Sequence, residues 1–113
     1  MKLYELMFIV QPDMEDEPRE ALVAGATGAV TANGGEVVHV EQMGRRRLAY
    51  PIKHRLDGFY VLLHARMEPV AITELERYLR LSEHILRYLL IQLEEKGQAQ
   101  EDEQAEVHVE AEA

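Results

Sequence analysis

KLYELMFIV, residues 2–10, is a nine-residue run in which aromatic and aliphatic side chains far outnumber charges. It is too short for a typical buried helix and is bounded by Pro12, so it reads as a strand buried on much of both faces, central in a sheet. Side chains alternate across a strand. One face therefore carries Tyr4, Leu6, Phe8 and Val10, and the other carries Leu3, Glu5, Met7 and Ile9. A layer of helices covers one face of a sheet. Three large apolar groups on the second face are too many to leave to water.

Outward from this strand, DMEDEP (13–18) is a helix-start signature. Asp16 is placed as the N-cap, Pro18 suits the first turn, and the acids complement the helix dipole. Leu22, Ala26 and Val30 recur at a spacing of four and define one helix face. Gly25 and Gly28 weaken the helix by up to ~1 kcal/mol each, a cost that close packing against the sheet explains. Asn33-Gly34-Gly35 stops it. EVVHVEQMGRRRLAY (36–50) reads as a long strand with a bulge or bend at Gly44, and Pro51 ends its ladder or marks an edge. Residues 53–57 form a turn ending in Asp57-Gly58, a hairpin signal. FYVLLHARM (59–67) is the third strand. Glu68-Pro69 opens a second helix with Leu75, Leu79 and Tyr78 on its buried stripe. HILRYLLIQL (84–93) is the last strand.

The order strand, helix, strand, strand, helix, strand is the split βαβ pattern of a ferredoxin-like α+β fold. Right-handed crossovers put both helices on one face of a four-stranded antiparallel sheet. The opposite face is left bare, which points to cover by another chain. The domain spans residues 1–95. The remainder, 96–113, is acidic and its only sizeable aliphatics are Val107 and Val109, so it reads as a disordered tail.

The chain has 113 residues, one domain's worth. With no cysteine it has no disulfide, thiolate metal site or cysteine nucleophile, a composition that fits a reducing compartment. Its first ten residues do not read as a signal peptide, and no apolar run approaches the ~20 residues of a membrane helix. The net charge of -9 is unevenly spread. Residues 98–113 hold six acids and no base, whereas residues 41–66 hold six basic residues against two acids. Surface fields are local over about a Debye length, so the basic island matters more than the total.

The sharpest feature is Gly44-Arg45-Arg46-Arg47-Leu48-Ala49-Tyr50-Pro51-Ile52. Successive arginines on an extended chain point to both faces, so at least one must reach outward. Guanidinium groups offer paired donors to phosphate, and Tyr50 adds a stacking or hydrogen-bonding surface. Lys53 and Arg55 extend the patch. The competing reading is a solvated charge run that guards an exposed strand edge. Arg77, Arg80 and Arg87 form a second set around Ser82-Glu83, with helix-surface ion pairing to Glu74, Glu76 and Glu83 as the plainer account. None of the histidines His39, His54, His64, His84 and His108 has metal-ligand spacing, and no metal or cofactor is expected. Asp13, Glu15, Asp16 and Glu17 lack the spacing of a calcium loop. No nucleophile, base and oxyanion hole come together, so no catalysis is expected.

The arginine run followed by Leu48-Ala49-Tyr50-Pro51-Ile52 also carries a resemblance. With Tyr4-Glu5, the Gly35 turn, Asp57-Gly58-Phe59-Tyr60, Leu75 through Arg80 and Ile85-Leu86-Arg87, it is similar to the bacterial small-subunit ribosomal protein six (S-six) family over about residues 1–93. The resemblance implies a cytoplasmic, structural ribosomal protein that pairs with ribosomal protein S-eighteen and binds the central domain of small-subunit rRNA. It implies that Arg46, Arg47, Tyr50 and Lys53, with Arg80 and Arg87, lie near RNA or partner, and Arg45 belongs to the same run. Two other classes share the element order. A homodimeric α+β-barrel enzyme would need polar groups in its cavity, and His64 and Glu5 are the only hints. An RNA-recognition-type domain would want sheet-face aromatics on strands one and three, where Phe59 or Tyr60 could serve but Glu5 would repel phosphate.

Overall fold

The computed structural model describes residues 1–94 and, as a backbone strand, 105–112. The elements are β1 (Lys2–Val10), α1 (Asp16–Ala32), β2 (Glu36–Ile52), β3 (Arg55–Met67), α2 (Pro69–Leu81), β4 (Ile85–Leu93) and β5 (Ala105–Glu112). The sheet order is β2-β3-β1-β4-β5, with every neighbouring pair antiparallel. β1 pairs with β3 on one side and β4 on the other, the central place that its two-sided apolar pattern predicts. The ferredoxin-like order of six elements is as expected, and both helices lie on one face.

That face holds the core. Leu6, Phe8 and Val10 of β1, Val61, Leu63 and Ala65 of β3, and Ile85, Tyr88 and Leu90 of β4 pack against Val23, Ala26 and Val30 of α1 and Ala71, Leu75 and Leu79 of α2. No polar or charged residue is buried among the described residues. Apolar burial at roughly 25 cal/mol per Å² therefore proceeds without unpaired charge. Of the expected α1 stripe, Ala26 and Val30 are buried and Leu22 is half-buried, while Val23 beside it is buried.

Local details differ from expectation in four places. Asp16 is the first helical residue, not the N-cap; Glu15 takes that place and makes no side-chain cap bond. Asp16 instead holds Arg19, Oδ1 to Nη2 at 2.9 Å. Gly25 faces the other helix, not the sheet: a Cβ there would stand 2.1 Å from the Tyr78 hydroxyl oxygen. The β2–β3 turn is Lys53-His54, with Ile52 paired to Arg55. Both turn residues have positive φ, 52° and 68°, as a primed two-residue hairpin turn requires. Asp57 and Gly58 lie inside β3. Finally, Ala105–Glu112 adds a fifth strand beside β4 where the sequence predicts no element. Its period-two alternation of Val107, Val109 and Ala111 suits an edge pairing, and β4's outer edge supplies the ladder. The rest of the expected tail, 95–104 and 113, lies outside the described residues.

The helices meet through Tyr78, whose hydroxyl donates to the Leu22 carbonyl at 2.8 Å. Burial pushes the Tyr78 phenol above its ordinary value. Burial raises Tyr88 too, reinforced by Glu76 and opposed by the Arg80 bond. A raised acid contributes stability that is full below the unfolded value, near ~10, and is lost as pH rises through the folded one. The thermal midpoint, followed by circular dichroism, should fall as pH rises above about 10. A chain carrying Tyr78→Phe and Tyr88→Phe should show a shallower alkaline loss.

Candidate nucleic-acid and partner interface

The open face of the sheet and the tip of the β2–β3 hairpin form one continuous surface. Gly44 makes the junction. It has φ of +97°, and the β2–β3 register shifts between Gln42 and Gly44. Such a bulge bends the strand and increases its twist. Beyond the bend the hairpin brings Leu48 onto Ile9 of β1 and Leu86 of β4, with Ile52 and Tyr60 packed against them. These residues were missed as a group from sequence. The available signal was the period-two spacing of Leu48, Tyr50 and Ile52, masked by the arginines before it.

Gly58 sits under this cluster. A Cβ there would stand 2.2 Å from Ile9 Cγ2 and 3.4 Å from Leu48 Cδ2. Gly58→Ala should therefore overpack the hairpin base and cost about 1–3 kcal/mol in urea denaturation. Combined with Ile9→Ala it should cost less than the two single changes added, because the second change removes the clash.

The predicted site residues fall into three groups. Arg45, Arg46 and Arg47 are exposed on the hairpin and pair in register with Phe59, Gly58 and Asp57. Arg45 reaches Asp57 at 3.5 Å. Lys53 is exposed in the turn. Tyr50, also exposed, accepts a hydrogen bond from Arg87, whose guanidinium carbon lies 5.7 Å from the Tyr50 ring centre. The hairpin and β4 thus bring Tyr50 and Arg87 together, although they are far apart in sequence. Arg80 is not part of this group. It donates to the Tyr88 hydroxyl at 3.2 Å, and Tyr88 packs in the helix-side core, so Arg80 lies across the sheet from Arg87.

Several other polar groups face a partner, although His64 Nε2 and Arg19 Nε make no hydrogen bond. Arg55, counted with the basic patch, binds Asp13 at 3.1 Å, and its guanidinium holds the Asp13 carboxyl below the usual carboxylate range. Arg77 faces Glu74 at 3.8 Å, the helix-surface pairing that the sequence offers as the plainer account. Glu5 and His64 stand across the β1–β3 ladder, Oε1 to Nε2 at 3.7 Å. Among the described residues no group of three His, Asp or Glu is arranged to hold a metal.

The β2 side of the open face also carries Glu36, paired with Arg66 at 3.5 Å, and His39 and Glu41, whereas its middle and β4 side are largely apolar and partly exposed. Leu3, Met7, Leu62, Leu89, Ile91 and Leu93 are all half-buried. A shallow groove of about 200 Å³ is lined by Met7, Ile9, Tyr60, Arg87, Tyr88 and Leu89. Apolar floor beside a cationic, aromatic rim suits a macromolecular surface better than a small polar substrate.

Such a fold with such a face defines a small ferredoxin-like protein built for assembly with larger partners. The chain belongs to a family described as Ribosomal protein S6, whose model matches residues 3–92. It is 40% identical over 97 residues to the small ribosomal subunit protein bS6 of Moorella thermoacetica, covering 86% of this chain and 99% of that protein. Its fold superimposes on the crystal structure of 30S ribosomal protein S6 from Thermotoga maritima with a TM-score of 0.77 and 33% identity, over 80% of this chain and 86% of that one. The protein is accordingly a structural constituent of the small ribosomal subunit, an RNA-binding protein that serves translation. Among the described residues no helix is long and apolar enough to cross a membrane.

Proposed function

We propose that the chain binds the central domain of small-subunit rRNA cooperatively with ribosomal protein S-eighteen, in the cytoplasm, and catalyses no reaction. One observation carries this reading: the apolar part of the open face around Met7, Ile9 and Leu89, uncovered by either helix, runs directly into the arginine-bearing hairpin. The apolar floor takes the protein partner. Arg45, Arg46, Arg47 and Lys53 reach past it to phosphate, and Tyr50 with Arg87 forms the seam between the two. Arg80, on the opposite side of β4, makes a separate contact at the helix end.

Few cations are available on this chain, so few counterions are released and its affinity for RNA alone is weak. A basic partner on the open face adds charge and buries the apolar floor. The two chains then present one composite surface, and each raises the other's affinity by the same factor. The test is to measure the affinity of this chain, of S-eighteen and of their mixture for a central-domain rRNA fragment at fixed salt. The mixture should bind far more tightly than either protein. If each binds as tightly alone as together, the reading fails.

A further inference from the structure

Arg87 lies next to the strand at the far edge of the sheet. β5 pairs with β4 so that Glu112 stands opposite Arg87, Glu110 opposite Leu89 and His108 opposite Ile91. Residues 105–112 carry Glu106, Glu110 and Glu112 and no basic residue. β4's outer edge would otherwise present unpaired amides and carbonyls next to the seam of the binding surface. We propose that β5 is a displaceable shield: an acidic strand of the chain itself that pairs with β4, runs in register beside Arg87, and is released when the assembled RNA and protein surface forms.

Three features fit a strand that holds weakly and lets go. Its only sizeable aliphatics are Val107 and Val109, so its composition offers little apolar surface to bury, as suits the low-stability end of a fold. It is tethered by a short connection from Leu93 to Ala105, which keeps its effective concentration at the edge near the millimolar range. The strand carries three glutamates and no lysine or arginine, so a polyanion bound at Arg87 and β5 paired with β4 oppose each other. The shield disfavours stray RNA in the free protein and yields to the composite surface, which offers many more contacts than a single strand.

The proposal rests on the RNA-binding reading, and the test separates the two. Three proteins are compared: the full chain, a chain ending at Glu94, and the full chain with Val107→Pro and Val109→Pro. Among the described residues every member of the buried core lies before Glu94, so the shortened chain retains that core. The double proline change keeps the tail's charge and removes its ability to pair in a ladder. The probes are a uridine homopolymer, followed by fluorescence anisotropy, and amide exchange along β4. Both altered chains should bind the homopolymer at least about threefold more tightly than the full chain at about 50 mM salt, with the gain shrinking at about 200 mM. Both should lose exchange protection along β4. If only the shortened chain gains affinity, the tail acts through diffuse charge and the shield is wrong. Equal binding by all three overturns the shield and leaves RNA binding standing. If none binds the homopolymer or the rRNA fragment, the RNA-binding reading falls and the shield falls with it.

Discussion

Replacing Arg45, Arg46 and Arg47 together with alanine is expected to abolish incorporation of the chain into small subunits while leaving its thermal midpoint nearly unchanged. The stability side follows from exposure. All three side chains stand on the outer part of the hairpin, and the one ion pair among them that the geometry resolves, Arg45 to Asp57 at 3.5 Å, joins a guanidinium that is 60% exposed. Exposed pairs of this kind contribute little, and substitutions at such positions usually fall within about 0.5 kcal/mol each. The functional side follows from charge. Removing three cations from the basic stretch removes up to three phosphate contacts, and the salt slope of rRNA binding by the mixture with S-eighteen should fall with them. Gradient sedimentation of a tagged chain expressed in bacteria reads incorporation. β2 is an edge strand, so the competing account, that the arginines only discourage edge-to-edge aggregation, has a real structural basis. Normal incorporation of a soluble triple variant would leave that account standing alone.

What could be read from the sequence was what depends on local periodicity. The two-sided pattern of residues 2–10 placed β1 at the centre of the sheet, and the α2 stripe of Leu75 and Leu79 placed its buried side. What could not be read depends on contacts between distant segments. Asp57-Gly58 resembles a hairpin turn because Gly tolerates positive φ. In the structure Gly58 is there because Ile9 approaches from the neighbouring strand, while the ordinary-looking Lys53 and His54 take the left-handed conformations. Gly25 reads from the sequence as a sheet-packing residue, whereas it serves Tyr78, a residue of another helix. Arg80 and Arg87 look like one cluster because they are close in sequence. Alternation along β4, with buried Tyr88 beside Arg87, puts them on opposite sides of the sheet. β5 escaped notice because its acidity argued for solvation, and only the unsatisfied edge of β4 gives it a place to pair.

Phe8→Ala and Met7→Ala, adjacent changes on one strand, should differ sharply. Phe8 is fully buried beneath the helices, within the cluster that holds Leu63, Leu75 and Leu79. Deleting its ring should cost about 3–5 kcal/mol, a large share of the roughly 5–15 kcal/mol that holds a domain folded, and should lower the urea midpoint steeply or prevent soluble expression. Met7 lies on the open face, half-buried at the groove lined by Ile9, Tyr60 and Leu89. Its truncation leaves no enclosed cavity in the free chain and should cost about 1 kcal/mol or less, since the lost contacts are few and water reaches the site. The same truncation should weaken binding to S-eighteen, because contacts that are half-made in the free chain are completed only when a partner covers the groove. Urea denaturation of the two variants and titration with S-eighteen measure both sides of the contrast. Equal stability losses would mean that the open face is already packed as closely as the helix-covered one. The argument for a protein partner on that face would then have no physical ground.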